Sequence, residues 1–344
     1  MELIRGVHNL RAEHRGSVVT IGNFDGVHSG HGMLLARLRH LAVQQQQPLT
    51  VVLFEPQPRE YFAAAQAPAR LSPLREKVSL LARRGVDRIL CLAFNQRLRE
   101  LTAGEFVQQV LVQGLGASFV AVGDDFRFGC DRQGDFALLQ REGARCGFQV
   151  EHTATFQLDD ERVSSSRVRT LLASGNFRQA ACLLGRAYRI EGRVRRDRQL
   201  GRTIGVPTAN VPLPLKPLAL RGVYVVVVCT ETGPPHWGVA NIGWRPTVGS
   251  VRPVLEVHLL DFCNDLYDQR LTVFPCQRLR DEQRFDGIEA LRAQLLRDIS
   301  AGCHYAERTA SAVAGGDPLS ALCRNDDEGR LLLATVPALT EGVP

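Results

Sequence analysis

The chain has 344 residues, of which 44% are hydrophobic and 23% charged, and its formal net charge is +6. This composition is typical of a water-soluble globular protein, and the length allows two domains with separate hydrophobic cores. No apolar run approaches the roughly 18 residues of a membrane span, and the first residues lack the apolar stretch of a secretion signal. We therefore expect a cytoplasmic protein without membrane contact.

The net charge does not decide between small polyanions and nucleic acids as ligands, whereas the cysteine pattern indicates the redox state of the thiols. A charge of +6 suits the binding of small polyanions, but nucleic-acid-binding proteins also reach it. The dense basic cluster within 193–202 fits a solvated loop as well as a phosphate-facing one. Nine cysteines stand singly, without a Cys-x-x-Cys pair or zinc-type spacing, so we expect them to be reduced.

The first half of the chain alternates short apolar runs with helical patterns. Nearly continuous apolar runs, typical of strands covered on both faces, span 17–21, 49–54, 88–92 and 118–122. Between the second and third runs, Leu74, Val78 and Leu81 repeat at helical spacing before Gly85. This alternation predicts a Rossmann-like parallel sheet, whose ligands bind beyond the carboxyl ends of the strands.

Residues 22–31 form a motif with a clear chemical interpretation. They follow a predicted strand and precede a predicted helix, and such a turn points helix N–H groups at an anion. His28 and His31 can both donate hydrogen bonds to phosphate oxygens, and a spaced His-x-x-His between glycines is more specific than a lone glycine-rich turn. The motif indicates a nucleoside triphosphate site. Its other candidate ligands are Gly22, Asn23, Phe24, Asp25, Gly26 and Gly30.

After about residue 186 the pattern changes. Apolar runs separated by Gly/Pro turns, without helices between them, span 222–228, 237–241 and 254–259 and predict an antiparallel barrel or sandwich. A helix with a predicted buried stripe closes it; the stripe consists of Ile288, Leu291, Leu295 and Ile299. From 303 to 344 no periodicity persists, and we expect a flexible tail.

A second motif covers residues 201–210. Gly201 and Gly205 permit close backbone approach, and Thr208 with Asn210 offers two neutral oxygens on one side of an extended segment. Such oxygens suit Mg²⁺, which shares phosphate oxygens and keeps several waters. Strand alternation places Glu256 on the face opposite its apolar neighbours. Taken alone, Glu256 is most simply an exposed strand carboxylate.

Together, the two motif sets resemble the bacterial bifunctional riboflavin kinase/FAD synthetase family, in order and over about residues 1–300. The first domain of that family is an HxGH-type nucleotidyltransferase. The resemblance implies that His28 and His31 belong to a turn that binds ATP and stabilises its α-phosphate as pyrophosphate leaves. It implies phosphorylation of riboflavin to FMN and then adenylylation of FMN to FAD, with Mg²⁺ bridging phosphates. No P-loop sequence occurs.

The resemblance extends to three further segments of the first half. Residues 163–169 match a serine-rich motif whose serines and arginine would bind the β- and γ-phosphates of ATP; they are Ser164, Ser165, Ser166 and Arg167. Segments 53–60 and 123–129 match flavin-contacting loops; the implied contacts are Pro56, Pro58, Arg59, Asp125, Phe126 and Phe128. Glu55 and Gln57 stand where the family commonly has Asp and His. The second loop also fits an Asx turn with two core aromatics.

In the second half, the resemblance implies that Glu256 is the general base for the ribityl hydroxyl of riboflavin. It also implies that Thr208 and Asn210 hold Mg-ATP beside that base. The flavin contacts that it implies are Arg280, Glu282 and Phe285.

We therefore expect an α/β chain with a Rossmann-like nucleotidyltransferase domain at 1–186, an antiparallel β-barrel riboflavin kinase domain closed by a helix at 187–302, and a flexible tail at 303–344. A pantetheine-phosphate adenylyltransferase would lack the second motif set. A basic RNA- or nucleotide-binding protein with inactive sites would not need the intact histidines and Glu256. We expect flavoproteins to accept FMN and FAD, and no nucleic-acid partner.

Overall fold

The central strand of the first half, Ser17–Ile21, is buried along its whole length, because all its side chains are apolar or small. The computed structural model describes residues 1–123, 125–153, 156–158, 161–196, 201, 205–247 and 250–311. By its contacts the chain divides into a first unit, Met1–Ser165, and a second unit, Ser166–Pro344.

The first unit is built on a six-stranded parallel sheet, which confirms the predicted α/β fold. Its strands are β1 (Glu2–Arg5), β2 (Ser17–Ile21), β3 (Leu49–Glu55), β4 (Arg88–Ala93), β5 (Ala117–Val122) and β6 (Gln149–His152). In the order β1-β4-β3-β2-β5-β6, the chain leaves β2 through β3 and β4 and returns on the other side as β5. Ligands of open parallel sheets bind where the strand order reverses, and the loop after β2 lies there.

Helices cover both faces of this sheet. They are α1 (Ser29–Gln44), α2 (Pro58–Phe62), α3 (Leu74–Arg83), α4 (Gln96–Arg99), α5 (Ala103–Phe106) with its π-helical continuation (Val107–Gly114), and α6 (Phe136–Cys146). Short 3₁₀ segments lie at Val7–Asn9, Ala12–His14, Ala64–Gln66 and Cys130–Arg132, and a small hairpin pairs β7 (Gln157–Leu158) with β8 (Glu161–Arg162). Val18 belongs to one core with Leu35 and Leu81, whereas Val19 belongs to another with Leu111. Both faces of β2 are therefore covered, as its apolar run predicts.

The second unit contains an antiparallel barrel, as predicted. Helices α7 (Ser165–Ala173) and α8 (Phe177–Leu184) come first in the chain; the strands are β9 (Ile190–Arg193), β10 (Ala209–Pro212), β11 (Gly222–Cys229), β12 (His236–Thr247), β13 (Ser250–Leu259) and β14 (Arg270–Arg280). They pair in the order β10-β13-β12-β11-β14-β9. The two edges approach where the backbone N–H of Arg195 donates to Asn210 O at 2.8 Å, so the barrel is nearly closed.

The C-terminal helix departs from the prediction in two ways. This helix, α9 (Ile288–Ser311), continues past 303, where we expected the tail to begin, and residues 312–344 lie outside the described part of the chain. Ile288 is 54% exposed, whereas the predicted stripe required it to be buried. Leu291, Leu295 and Ile299 are half-buried because they line a cavity rather than a closed core.

Two helical glycines test how tightly the first unit is packed. Gly143 of α6 is buried, and a Cβ atom there would lie 2.6 Å from Phe148 O, whereas Gly104 of α5 has nothing within 4 Å. Helix propensity alone favours alanine over glycine by about 1 kcal/mol at an interior position. We expect Gly143→Ala to lower the free energy of unfolding by about 1–3 kcal/mol through overpacking, and Gly104→Ala to leave it unchanged or raise it slightly. Denaturant unfolding measures both; equal effects would contradict this packing.

Candidate active sites

The loop between β2 and α1 has a backbone conformation that ordinary residues rarely adopt. Phe24, Gly26 and Val27 have φ angles of 45°, 79° and 42°. Non-glycine residues in this region are strained and persist only where the surroundings fix them. The side chains of Phe24 and Val27 are buried in the core, so packing supplies part of that constraint.

A buried carboxylate supplies the rest of the constraint on this turn. Asp25 is 3% exposed. Its Oδ1 accepts hydrogen bonds from the backbone N–H groups of Leu71 at 3.1 Å and Ser72 at 3.2 Å. In return, Ser72 Oγ accepts from Gly26 N at 3.0 Å, and Ser165 Oγ donates to Asp25 O at 2.8 Å. The turn is therefore hydrogen-bonded to the segment before α3 and to Ser165.

The two histidines of the motif lie together at the start of α1. His28 caps this helix, because its Nδ1 accepts from the backbone N–H of His31 at 3.3 Å, and the two rings stack with centroids 3.6 Å apart. A neutral His28 must then carry its proton on Nε2. Desolvation lowers the pKa of His31 well below its ordinary value, and electrostatic interactions with His28, Lys77 and Arg84 lower it further. His31 is therefore neutral at pH 7.

The segment after β3 is held by a cluster of ionised side chains. Arg70 forms two hydrogen bonds with Glu55, at 2.9 and 2.6 Å, and donates from Nε to Glu60 at 2.6 Å. Glu60 in turn accepts from the backbone N–H of Gln57 at 3.0 Å, which starts α2. Gln57 is buried, and within the described residues its Nε2 has no hydrogen-bond partner. Here Glu55 is a structural anchor for this edge of the site.

The predicted flavin contacts of the first unit differ in exposure. Phe128 is buried and belongs to the core, stacked on Phe126 at 5.3 Å and near Phe106 at 5.7 Å, as the core-aromatic alternative expects. The Asp125 side chain is exposed and lies 3.8 Å from Arg162. Pro56 and Pro58 are half-buried, and Arg59 is exposed. Asp124 lies outside the described residues.

Sequence reasoning missed an exposed aromatic cluster beside this segment. Tyr61, Phe62 and Phe94 contact one another edge to face, with centroids 5.4–5.7 Å apart, and Phe62 is 60% exposed. Two of these residues end the short helix α2, which begins at Pro58. A helix of five residues is too short to show a periodicity that could have predicted the cluster.

The remaining residues of the serine-rich motif lie on or next to α7. Ser164 and Arg167 are half-buried, and Ser166 is exposed. Ser166 and Arg167 belong to the second unit by their contacts. Their binding of ATP phosphates stays a prediction.

In the second unit, the predicted kinase residues other than Gly205, which is exposed, line one cavity of about 280 Å³. Among its lining residues are Gly201, Thr208, Asn210, Glu256, Arg280, Glu282 and Phe285. They come from β10, β13, the end of β14 and the segments next to these strands. The antiparallel pairing explains part of this meeting, because Glu256 on β13 lies opposite Asn210 on one side and Asn241 on the other.

Two of the predicted flavin contacts are themselves held by protein partners. Arg280 donates from Nε to Asp298 Oδ1 at 3.0 Å and from Nη2 to Asp298 Oδ2 at 2.7 Å, which links the end of β14 to α9. Glu282 accepts from Arg221 Nε at 2.6 Å. A side chain at Gly243 would displace the Glu282 carboxylate from its present position. Asp298 lines the cavity, and no local sequence pattern indicated its role.

A second cavity of about 280 Å³ lies beside the first. Thr208 lines both. The wall of the second cavity includes Phe262, Leu266 and Tyr267, and the guanidinium of Arg196 lies 4.9 Å from the Tyr267 ring centroid. The sequence did not identify these residues. Residues 202–204 of the motif, and Arg198 and Arg202 of the basic cluster, lie outside the described part of the chain.

Comparisons with known proteins assign both halves of the chain to known families. A family model for FAD synthetase matches residues 10–167, and one for riboflavin kinase matches 184–305. The chain belongs to the bifunctional riboflavin kinase/FMN adenylyltransferase family. It is 56% identical to the Pseudomonas fluorescens member, over 88% of this chain and 96% of that one. The Escherichia coli K12 member is 50% identical, over 87% and 96%, and the Haemophilus influenzae member 44%, over 87% and 97%.

A solved structure has the same fold. It is described as a macrolide-efflux protein from Streptococcus pneumoniae and matches with a TM-score of 0.70 and 28% identity, over 87% of this chain and 98% of that one. That description applies to that protein, and the more similar sequence relatives decide the family. Among the described residues of this chain, no helix is long and apolar enough to cross a membrane.

The family assignment establishes the reactions. The chain phosphorylates riboflavin to FMN with ATP and then adenylylates FMN to FAD, as the motifs predicted. A pantetheine-phosphate adenylyltransferase is excluded, because the riboflavin kinase model covers the second half.

The environment of His31 leads to a direct prediction. Because burial and neighbouring cations lower its pKa, the His31 ring should titrate well below 6.5 in the folded protein. The unfolded chain then binds a proton that the folded chain does not, so the free energy of unfolding should fall as pH drops below about 6.5. NMR titration of the histidine Cε1–H signals, assigned with His31→Asn, measures this. A His31 pKa at or above 6.5 would contradict the described environment.

Proposed function

We propose that adenylylation takes place at the turn before α1 and riboflavin phosphorylation in the barrel cavity. The observation that carries this proposal is the meeting of the predicted kinase residues around one cavity. These residues are far apart in sequence, and a ligand that they share explains why they line the same cavity. For the first site, the support is the turn before α1, which has strained backbone angles, is held by hydrogen bonds to Asp25 and places two histidines at the start of a helix.

In the kinase site, Glu256 would accept the proton of the ribityl hydroxyl as that oxygen attacks the γ-phosphorus of ATP. The bond from the γ-phosphorus to the bridging oxygen breaks, and ADP leaves. Arg280 is held by Asp298, and Glu282 by Arg221. We therefore expect both side chains to form a rigid wall against which riboflavin binds. Phe285, 5.8 Å from the Arg280 guanidinium carbon, offers a ring to the flavin.

The second cavity is suited to the nucleotide. Its aromatic residues Phe262 and Tyr267 would face adenine, and Thr208, shared by both cavities, would mark the point where phosphates reach riboflavin. This placement brings the γ-phosphate toward Glu256 rather than away from it.

Magnesium fits the kinase site. Thr208 and Asn210 offer hydroxyl and amide oxygens, the hard ligands that Mg²⁺ accepts together with phosphates and waters. The described residues contain no group of three or more His, Cys, Asp or Glu side chains that could hold a metal. The ion would therefore depend on ATP for most of its ligands. When bound, it would neutralise charge on the transferred phosphoryl group.

In the adenylylation site, a phosphate oxygen of FMN attacks the α-phosphorus of ATP, and the bond to the β-phosphate bridging oxygen breaks to release pyrophosphate. We propose that His28, from Nε2, and the neutral ring of His31 each donate to an α-phosphate oxygen, together with the N–H groups at the start of α1. Ser164, Ser165, Ser166 and Arg167 would bind the departing phosphates. The Tyr61, Phe62 and Phe94 cluster offers apolar surface for the flavin ring, next to Pro56 and Pro58.

We also propose that the protein works in the cytoplasm and passes FMN and FAD to flavoproteins. Support comes from its cysteines, since none of those in the described part of the chain forms a disulfide, which fits a reducing compartment.

The kinase assignment predicts the effect of Glu256→Gln. Removal of the proton acceptor should lower riboflavin phosphorylation by about 10²–10⁴-fold, because that is the typical contribution of general-base catalysis. FMN adenylylation and the melting temperature should change little. Product analysis by HPLC with riboflavin or FMN as substrate measures both activities in one preparation.

The reciprocal variant is the control. His31→Ala should lower adenylylation by about 10²–10³-fold, the usual cost of one lost stabilising donor, and leave phosphorylation intact. If Glu256→Gln phosphorylates riboflavin at nearly the original rate, the carboxylate is an ordinary strand residue. If His31→Ala still adenylylates FMN, the turn is not the ATP site.

A further inference from the structure

A lysine is buried beneath the turn before α1. Lys77 of α3 is 1% exposed, and its Nζ donates to the backbone oxygen of Asn23 at 2.7 Å. Burying an ammonium group is costly unless it is compensated, and a single backbone carbonyl compensates little of that cost. The buried charge therefore needs another explanation.

The charged groups around Lys77 explain why a cation is buried there. The groups whose fields act on it are the carboxylates of Asp25, Glu55 and Glu60 and the guanidinium of Arg70. Arg70 is already paired with both glutamates, and Asp25 accepts hydrogen bonds from backbone amides. Among the described groups whose fields act on Lys77, three are carboxylates and one is a cation, so loss of the Lys77 charge would leave an excess of negative charge beneath the turn. A site for a polyphosphate cannot tolerate such an excess of negative charge next to it.

Lys77 also acts on the histidine pair. The pKa of His31 is lowered by the field of Lys77, after desolvation and the field of His28. The same lysine holds Asn23, which precedes the strained residue Phe24. Its charge and its hydrogen bond therefore both reach the residues that would meet ATP.

We propose that Lys77 is a positioning residue of the adenylylation site, whose buried positive charge makes the turn attractive to the triphosphate. This inference rests on the assignment of the turn as the ATP site. It adds a contribution from outside the motif: the turn binds an anion because a cation lies beneath it, not through its own N–H groups and histidines alone.

Two substitutions separate the charge from the hydrogen bond. Lys77→Gln keeps a donor for Asn23 O but loses the charge, and Lys77→Met loses both. A unit charge in a half-buried setting changes the affinity for a nearby anion by about 10- to 100-fold. We expect both variants to raise the KM for ATP in adenylylation by that factor, with a smaller change in kcat and unchanged riboflavin phosphorylation. The matched control is Arg83→Gln, which removes a solvent-screened charge from the exposed end of α3 and should change KM less than about twofold.

The NMR titration of His31 is the second readout. Its pKa should rise in both Lys77 variants and stay unchanged in Arg83→Gln, which a purely structural role would not produce. A Gln variant with the original KM and an unchanged His31 pKa would overturn the inference, because a hydrogen-bond tether alone would then suffice. Failure of the ATP-site assignment looks different, since His31→Ala would then retain adenylylation.

Discussion

The first active site depends on the hydrogen bonds that the buried carboxylate of Asp25 accepts. Phe24 and Val27 adopt backbone conformations that are unfavourable for residues with side chains, and the free chain would relax them. Asp25 ties this turn to Leu71 and Ser72, just before α3, and α3 in turn carries Lys77. Asp25 thus links the strand-to-helix turn to the start of the helix that carries the buried cation through its carboxylate, and to Ser165 through its backbone carbonyl.

On the proposed site assignments, the two units would hold phosphates by different physical means. In the first, an open parallel sheet places a turn at the point where strand order reverses, and helix N–H groups, histidines and a buried cation face the anion. In the second, adjacent antiparallel strands bring neutral oxygens and a carboxylate into one cavity. Adenylylation needs charge stabilisation around the α-phosphate, whereas phosphorylation of an alcohol also needs a proton acceptor. Glu256 meets that second need.

Most of the fold could be predicted from the sequence, because the parallel strands and the turn at 22–28 are specified by local patterns. Strand alternation placed Glu256 on the polar face of its own strand, whereas the position of Asn210 beside it followed only from the resemblance to the family. Lys77 could not be predicted as buried, because helical spacing does not distinguish a buried lysine from one at the edge of an apolar stripe. Asp298 pairs with a residue 18 positions away on another element, which no local pattern encodes. The prediction that Ile288 is buried was wrong, because the helix covers an open cavity.

We infer that hydrogen bonds to Asp25, rather than its charge, hold the turn that is proposed as the ATP site. This claim is tested most directly by measuring FAD formation from FMN and ATP for Asp25→Ala and Asp25→Asn. The alanine variant leaves two buried N–H groups without an acceptor, so the turn should relax and the rate should fall by roughly 10²-fold or more. The asparagine variant keeps an oxygen that can accept both bonds, and its rate should stay within about tenfold of the original. An alanine variant that forms FAD at the original rate, while still phosphorylating riboflavin, would contradict the claim.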